Sequence, residues 1–110
     1  MKKKILVVPY NPRVRYLFSE ESKYDLIFAP PEEALMEFIS DSYSAVLVFA
    51  EYETDIFKES RNALRDIKNA ASSDVKIFRL GFLPEREVPG EKYLELPMSF
   101  KDESLDEILL

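Results

Sequence analysis

The stretch Tyr43-Ser44-Ala45-Val46-Leu47-Val48-Phe49-Ala50-Glu51-Tyr52 decides how this chain folds. From Ala45 to Ala50 it is apolar without a break, at strand length, with β-branched and aromatic side chains. A run of that kind suits a strand covered on both faces, which is the environment inside a parallel sheet. Working outward, shorter apolar runs stand at residues 5–8 and 26–29 before it, and at 75–80 and 93–96 after it. Helical patterns fill most of the gaps. The alternation predicts an α/β sandwich around one parallel sheet. Such sheets carry function at the carboxyl ends of their strands. Here that edge holds Pro9, Tyr10, Asn11, Phe49, Glu51, Gly81 and Leu96, a poor set for catalysis.

The 110 residues fit one domain, residues 1–110, large enough to bury a core unaided. With no cysteine there is no disulfide, thiolate metal site or cysteine nucleophile. With no histidine, the commonest general base and transition-metal ligand are also missing. No apolar run approaches the roughly 20 residues of a membrane helix. Lys2-Lys3-Lys4 resembles the basic start of a signal peptide, but the apolar run after it is short and Pro9 ends it. A cytoplasmic location is expected. The net charge of −6 argues against nucleic acid or anionic lipid as the main partner.

Asn11-Pro12 is a helix start, with Val14, Leu17 and Phe18 facing the sheet. Pro30-Pro31 opens a second helix whose inner face is Ala34, Leu35, Phe38 and Ile39, with Glu32 and Glu33 in its first turn. The longest helix is expected over residues 54–71, burying Ile56, Phe57, Ser60, Leu64, Ile67 and Ala71. Residues 82–92, with Pro84, Pro89 and Gly90, keep no helical period and read as a loop. A last helix starts near Ser99, with Asp102 in capping-box position, and buries Leu105, Ile108 and Leu109.

With its strands placed, the sequence resembles a bacterial response-regulator receiver domain. The resemblance is carried by Lys2-Lys3-Lys4-Ile5-Leu6-Val7-Val8, by Asn11, and by residues 24–29 followed by Glu32-Glu33-Ala34-Leu35. Tyr43 opening the third strand and Tyr93-Leu94-Glu95-Leu96-Pro97 complete it. It implies a flavodoxin-like, CheY-like three-layer sandwich with five parallel strands in the order 2-1-3-4-5. The helix before the fifth strand is reduced to a loop. Working receivers transfer a phosphoryl group with Mg²⁺, which needs hard oxygen ligands. The resemblance places their acid pair at Pro9 and Tyr10, their nucleophile at Phe49, with Glu51 two residues on, their hydroxyl at Gly81 and their lysine at Leu96. None of these residues supplies the required group. The chain therefore looks like a pseudo-receiver that lacks the phosphorylation site, with no catalytic residue, metal or cofactor. The resemblance also implies a cis peptide before Pro97, and it places Tyr93 at the family's aromatic switch.

Three further groups invite a functional reading. Glu51, Glu53 and Asp55 read as solvated loop acids and a cap in preference to a metal site. Arg13 and Arg15, near the vacated pocket, suggest an anion site at the first helix. Lys58, Arg61, Arg65 and Lys68 share about 80° of helix surface at 100° per residue. That stripe reads as a solvated face or as a docking strip for an acidic protein, a second copy included. Tyr10, Phe49 and Leu96 are expected to pack together as an apolar plug. The reading is a phosphorylation-independent interaction module of signalling, not an enzyme, with a protein partner. The alternative is a sensor of a nucleotide or other anion held by Asn11, Arg13 and the loop after the third strand. With only Gly81 and Gly90, the chain has no glycine-rich phosphate cradle.

Overall fold

The computed structural model describes residues 2–50, 58–81, 92–95 and 101–109. In chain order these form β1 (Lys4–Val8), α1 (Pro12–Tyr16), β2 (Asp25–Phe28), α2 (Pro31–Ser40) and β3 (Ala45–Phe49). Then follow α3 (Lys58–Ala70), β4 (Lys76–Gly81), β5 (Lys92–Glu95) and α4 (Asp102–Leu109). The sheet runs β2-β1-β3-β4-β5, and its pairings are parallel. β3 lies between β1 and β4, with Val48 opposite both Val8 and Arg79. All five of its residues are buried, as a strand covered on both faces requires.

Alternation along the strands sends side chains to two separate cores. Leu6, Val8, Val46 and Val48 meet Ala34 and Phe38 of α2 and Ala63, Leu64 and Ile67 of α3. Ile5, Val7, Leu47, Phe49, Phe78 and Leu80 meet Val14 and Phe18 of the α1 region and Leu105 of α4. Each large apolar side chain removed from water in this way contributes about 1.5–3 kcal/mol.

Local chemistry explains the helix starts. Asn11 has extended backbone and its Oδ1 accepts from the Val14 amide at 2.8 Å, while Pro12 takes the first helical position. Pro30 caps α2 without a side-chain bond, and Pro31 fills the first position, where no amide is needed. Glu37 of α2 accepts from the buried Tyr43 hydroxyl at 2.6 Å, and Phe38 stacks on the Tyr43 ring. That pair fixes how α2 leads into β3.

One expected inner position is corrected. Ile39 is 57% exposed, because the core face of α2 is carried by Ala34 and Phe38, with Leu35 half-buried at its margin. Ile39 stands more than a quarter-turn round the helix from Phe38. The start of the long helix over residues 54–57, the loop over 82–91 and the peptide before Pro97 lie outside the described residues. Among the described residues the cis peptide is Val8–Pro9. No described helix is long and apolar enough to cross a membrane.

The final helix is tied to the lead-in of β2 by charge. Asp102, read from the sequence as a capping-box acid, accepts from the Ser22 hydroxyl at 2.6 Å and the Lys23 amide at 3.0 Å. Asp106 accepts from the Lys23 ammonium at 2.7 Å and from the Tyr24 hydroxyl. Both carboxyls are held below the ordinary carboxylate range, Asp102 by Ser22 and Lys23, Asp106 by Lys23 and Tyr24. A carboxyl depressed on folding adds stability above its unfolded pKa and loses it as pH falls through the folded value. Docking of α4 is therefore expected to be complete at neutral pH and to weaken as pH drops below about 4. The groups are exposed, so the effect is modest and weakens with salt. Amide exchange in α4, corrected for intrinsic rates, should rise on acidification, and Asp106→Asn should flatten that rise. Exchange independent of pH would remove these contacts as the anchor.

Candidate functional site

The carboxyl edge of the sheet is where the sequence places its candidate residues. Phe49, the last residue of β3, is 1% exposed. The ring of Phe18 stands over it edge-on, centroids 6.5 Å apart, and meets Phe28 of β2 in the same manner at 5.6 Å. T-shaped pairs at these distances are favourable for aromatic rings beyond the area they bury. Pro9 is also buried, at the end of β1.

Tyr10 departs from the expected plug. It is 62% exposed, with its amide donating to the Ala29 carbonyl at 2.9 Å. The reason is steric. The space over Phe49 is filled from the α1 side by Phe18, backed by Phe28, and a phenol would gain little there while giving up its water. The edge is apolar at Phe49, as expected, but Phe18 supplies the cover. Gly81 closes β4 with its Cα opposite Glu95, and Leu96 lies outside the described residues.

Two residues near the suggested anion site, Asn11 and Arg15, are engaged elsewhere, and the loop after the third strand lies outside the described residues. The Asn11 side-chain oxygen Oδ1 is taken by the Val14 amide. Arg15 lies over the Phe28 ring, 5.2 Å from its centroid, and donates to the Phe18 carbonyl at 3.3 Å. It therefore braces the aromatic cover from outside. Arg13 is exposed. The cluster Glu51, Glu53 and Asp55 lies outside the described residues, among which no group of three acids is placed to hold a metal ion.

The basic stripe sits on α3 as its spacing requires. Arg65 is exposed, with its Nε 3.6 Å from the neighbouring Asp66 carboxylate, and Arg61 and Lys68 are half-buried. Lys58 opens the helix. Tyr93 is on β5, its Cα opposite that of Arg79.

Arg79 is the functional-edge residue that the sequence reading passed over. It stands in β4 and is 1% exposed. Its Nη1 donates to the Ala50 carbonyl at 3.1 Å, while the Ala50 amide donates to the Leu80 carbonyl at 3.1 Å. The residue that follows β3 is thus held to β4 through both of its backbone polar groups. A signal was available, since Arg79 is a charge inside the run 75–80, and a strand covered on both faces leaves a charge no route to water.

No protein-family profile and no curated protein matches the chain. A solved structure does, that of the response regulator protein TrrA in its crystal complex with the histidine kinase ThkA. The likeness covers 100% of both chains, with a TM-score of 0.63 and 22% sequence identity. At that identity it is a likeness of fold. The chain is thus similar, over its whole length, to the flavodoxin-like α/β fold of a response regulator.

Proposed function

We propose that this chain is a pseudo-receiver, a single-domain, cytoplasmic module that binds a protein partner in signalling without being phosphorylated and without being an enzyme. The observation that carries the reading is Phe49, buried beneath Phe18 at the place where the resemblance calls for a phosphorylatable aspartate. A phenyl ring accepts no phosphoryl group, and its packing excludes the water and cation that such chemistry needs. Pro9 and Tyr10 offer no carboxylate to Mg²⁺ at the end of β1. The similar response regulator is seen in complex with a histidine kinase, which supports a protein as partner in preference to nucleic acid or a membrane. The net charge of −6 points the same way.

Beryllofluoride or acetyl phosphate with Mg²⁺ is expected to leave the amide spectrum of this protein unchanged. Saturable shifts at Phe49, Ala50 and Leu80 would overturn the reading. The rival reading, an anion sensor, loses support from Asn11 and Arg15, whose polar groups are engaged with Val14 and Phe18. Nucleotides are accordingly expected to leave the melting temperature where it is, whereas a true ligand raises it by mass action.

A further inference from the structure

We propose that the groove between α2 and α3 is the docking surface of this module, and that its occupant is a basic amphipathic helix of another protein. The inference rests on the interaction-module reading above and adds a place and a partner chemistry to it. Two stripes of side chains face each other across this groove. On α2, Glu32, Leu35, Met36 and Ile39 follow the spacing i, i+3, i+4, i+7, which puts them on one side of the helix. On α3, Glu59, Asn62, Ala63 and Asp66 repeat that spacing. Glu32, Leu35 and Met36 of the first stripe and all four residues of the second line one cavity of about 560 Å³, and Ile39 continues the α2 stripe past it.

The α2 stripe is apolar where it has no need to be. Met36 is 66% exposed and Ile39 57%, while Leu35 is half-buried beside them. Large apolar side chains grouped on one exposed helix face mark an interaction surface more often than singly scattered ones do. Methionine adds an adaptable, polarizable contact suited to helix-in-groove recognition. The charged side chains that line the cavity are acidic, although Asp66 also pairs with Arg65 beside it. Glu32 is in the first turn of α2 and Glu59 in that of α3, Asp66 lies further along, and α2 carries no basic residue. An apolar floor with an acidic rim selects a segment with apolar side chains on one face and Lys or Arg beside them. Two adjacent helices present ridges and a groove, which a third helix fills.

A second copy of the chain fits less well. Its basic surface, Lys58, Arg61, Arg65 and Lys68, is on α3, but that stripe contains no apolar side chain to set against Leu35, Met36 and Ile39. It would meet the rim and leave the floor wet.

The test uses the full chain, isotope-labelled, and a synthetic helical peptide of about 18 residues. Leucines at i, i+3, i+4 and i+7 form one face of the peptide, with lysines and arginines beside them. A mirror peptide carries glutamate in place of the basic residues. The basic peptide is expected to shift the amides of Leu35, Met36, Ile39, Asn62 and Asp66, and the acidic one to shift none. The double variant Met36→Lys, Ile39→Lys alters exposed positions and should keep its melting temperature while weakening binding at least about tenfold. Equal response to both peptides, shifts elsewhere, no shift near millimolar peptide, or full binding by the double variant would each overturn the proposal. So would self-association in sedimentation that the double variant abolishes, because the occupant would then be a second copy. The module reading fails separately. A crosslinked partner retained by the double variant but lost on Arg61→Glu, Arg65→Glu would refute the groove and leave the interaction module standing.

Discussion

Replacing Phe49 with aspartate, the residue that phosphorylation at this strand end would require, is expected to bring this protein to the edge of unfolding. Phe49 is 1% exposed, ends a strand buried along its length, and carries the Phe18 ring on its face. Truncating a buried phenylalanine costs about 3–5 kcal/mol through lost transfer energy and the cavity left behind. Aspartate adds a second penalty. A carboxylate among Val7, Leu47, Phe18 and Leu80 either stays charged at a cost of several kcal/mol or takes up a proton with its pKa raised. The two together rival the about 5–15 kcal/mol by which a domain of this size is stable. Phe49→Leu keeps most of the volume and should cost less than about 1.5 kcal/mol. Denaturant midpoints with an unchanged slope would establish both numbers. Should Phe49→Asp remain within about 1 kcal/mol of the parent and respond to Mg²⁺ with beryllofluoride, the strand end is open and hydrated, and the pseudo-receiver reading fails.

The same residue shows how far the sequence could be read. The unbroken run 45–50 called for a doubly covered strand, and β3 is one, because a run with no polar residue has no face to give to water. The Asn11-Pro12 start was equally legible, since a cap is a local matter of one side chain and one amide. That Phe49 would be buried was also legible, but not by what. Proximity at the strand ends points to Tyr10 and Leu96 as its partners in the plug. The ring that covers Phe49 is Phe18, placed there by a helix that ends two residues earlier. Contacts made across a layer depend on where short helices stop, which periodicity fixes least well. Ile39 departs from the expected inner face for a related reason. In a helix of ten residues, two buried positions suffice to dock α2, and the apolar residues at the margin fall to whichever side α3 leaves open.

The second large effect is expected at Arg79, where sequence reading saw only a strand. Among the described residues it is a side chain that carries full charge into the core, 1% exposed. Alternation along β4 sets it on the side of Ile77, facing the layer of α2 and α3, while Phe78 and Leu80 face the other way. Its Nη1 reaches the Ala50 carbonyl, 29 residues earlier in the chain. Ala50 is therefore clamped at its amide by Leu80 and at its carbonyl by Arg79, so the end of β3 is fixed by β4. A hydrogen bond to a charged donor is worth about 1.5–3 kcal/mol, and the long aliphatic stem adds packing. Arg79→Ala is expected to lower stability by about 3 kcal/mol, removing bond and stem together. Arg79→Met restores the stem without the charge and should recover part of the loss, since apolar replacement of a buried ion is often tolerated. Arg79→Lys should not do as well as its charge suggests, because an ammonium lacks the planar fork. Amide exchange should separate this clamp from mere packing. Protection at Ala50 and Leu80 should fall in Arg79→Met and Arg79→Ala alike, while protection in β1 follows global stability alone. A loss under about 0.5 kcal/mol for Arg79→Ala would mean that the guanidinium does not hold the edge. The expected result would mean that this chain fixes the end of β3 with a buried guanidinium from β4.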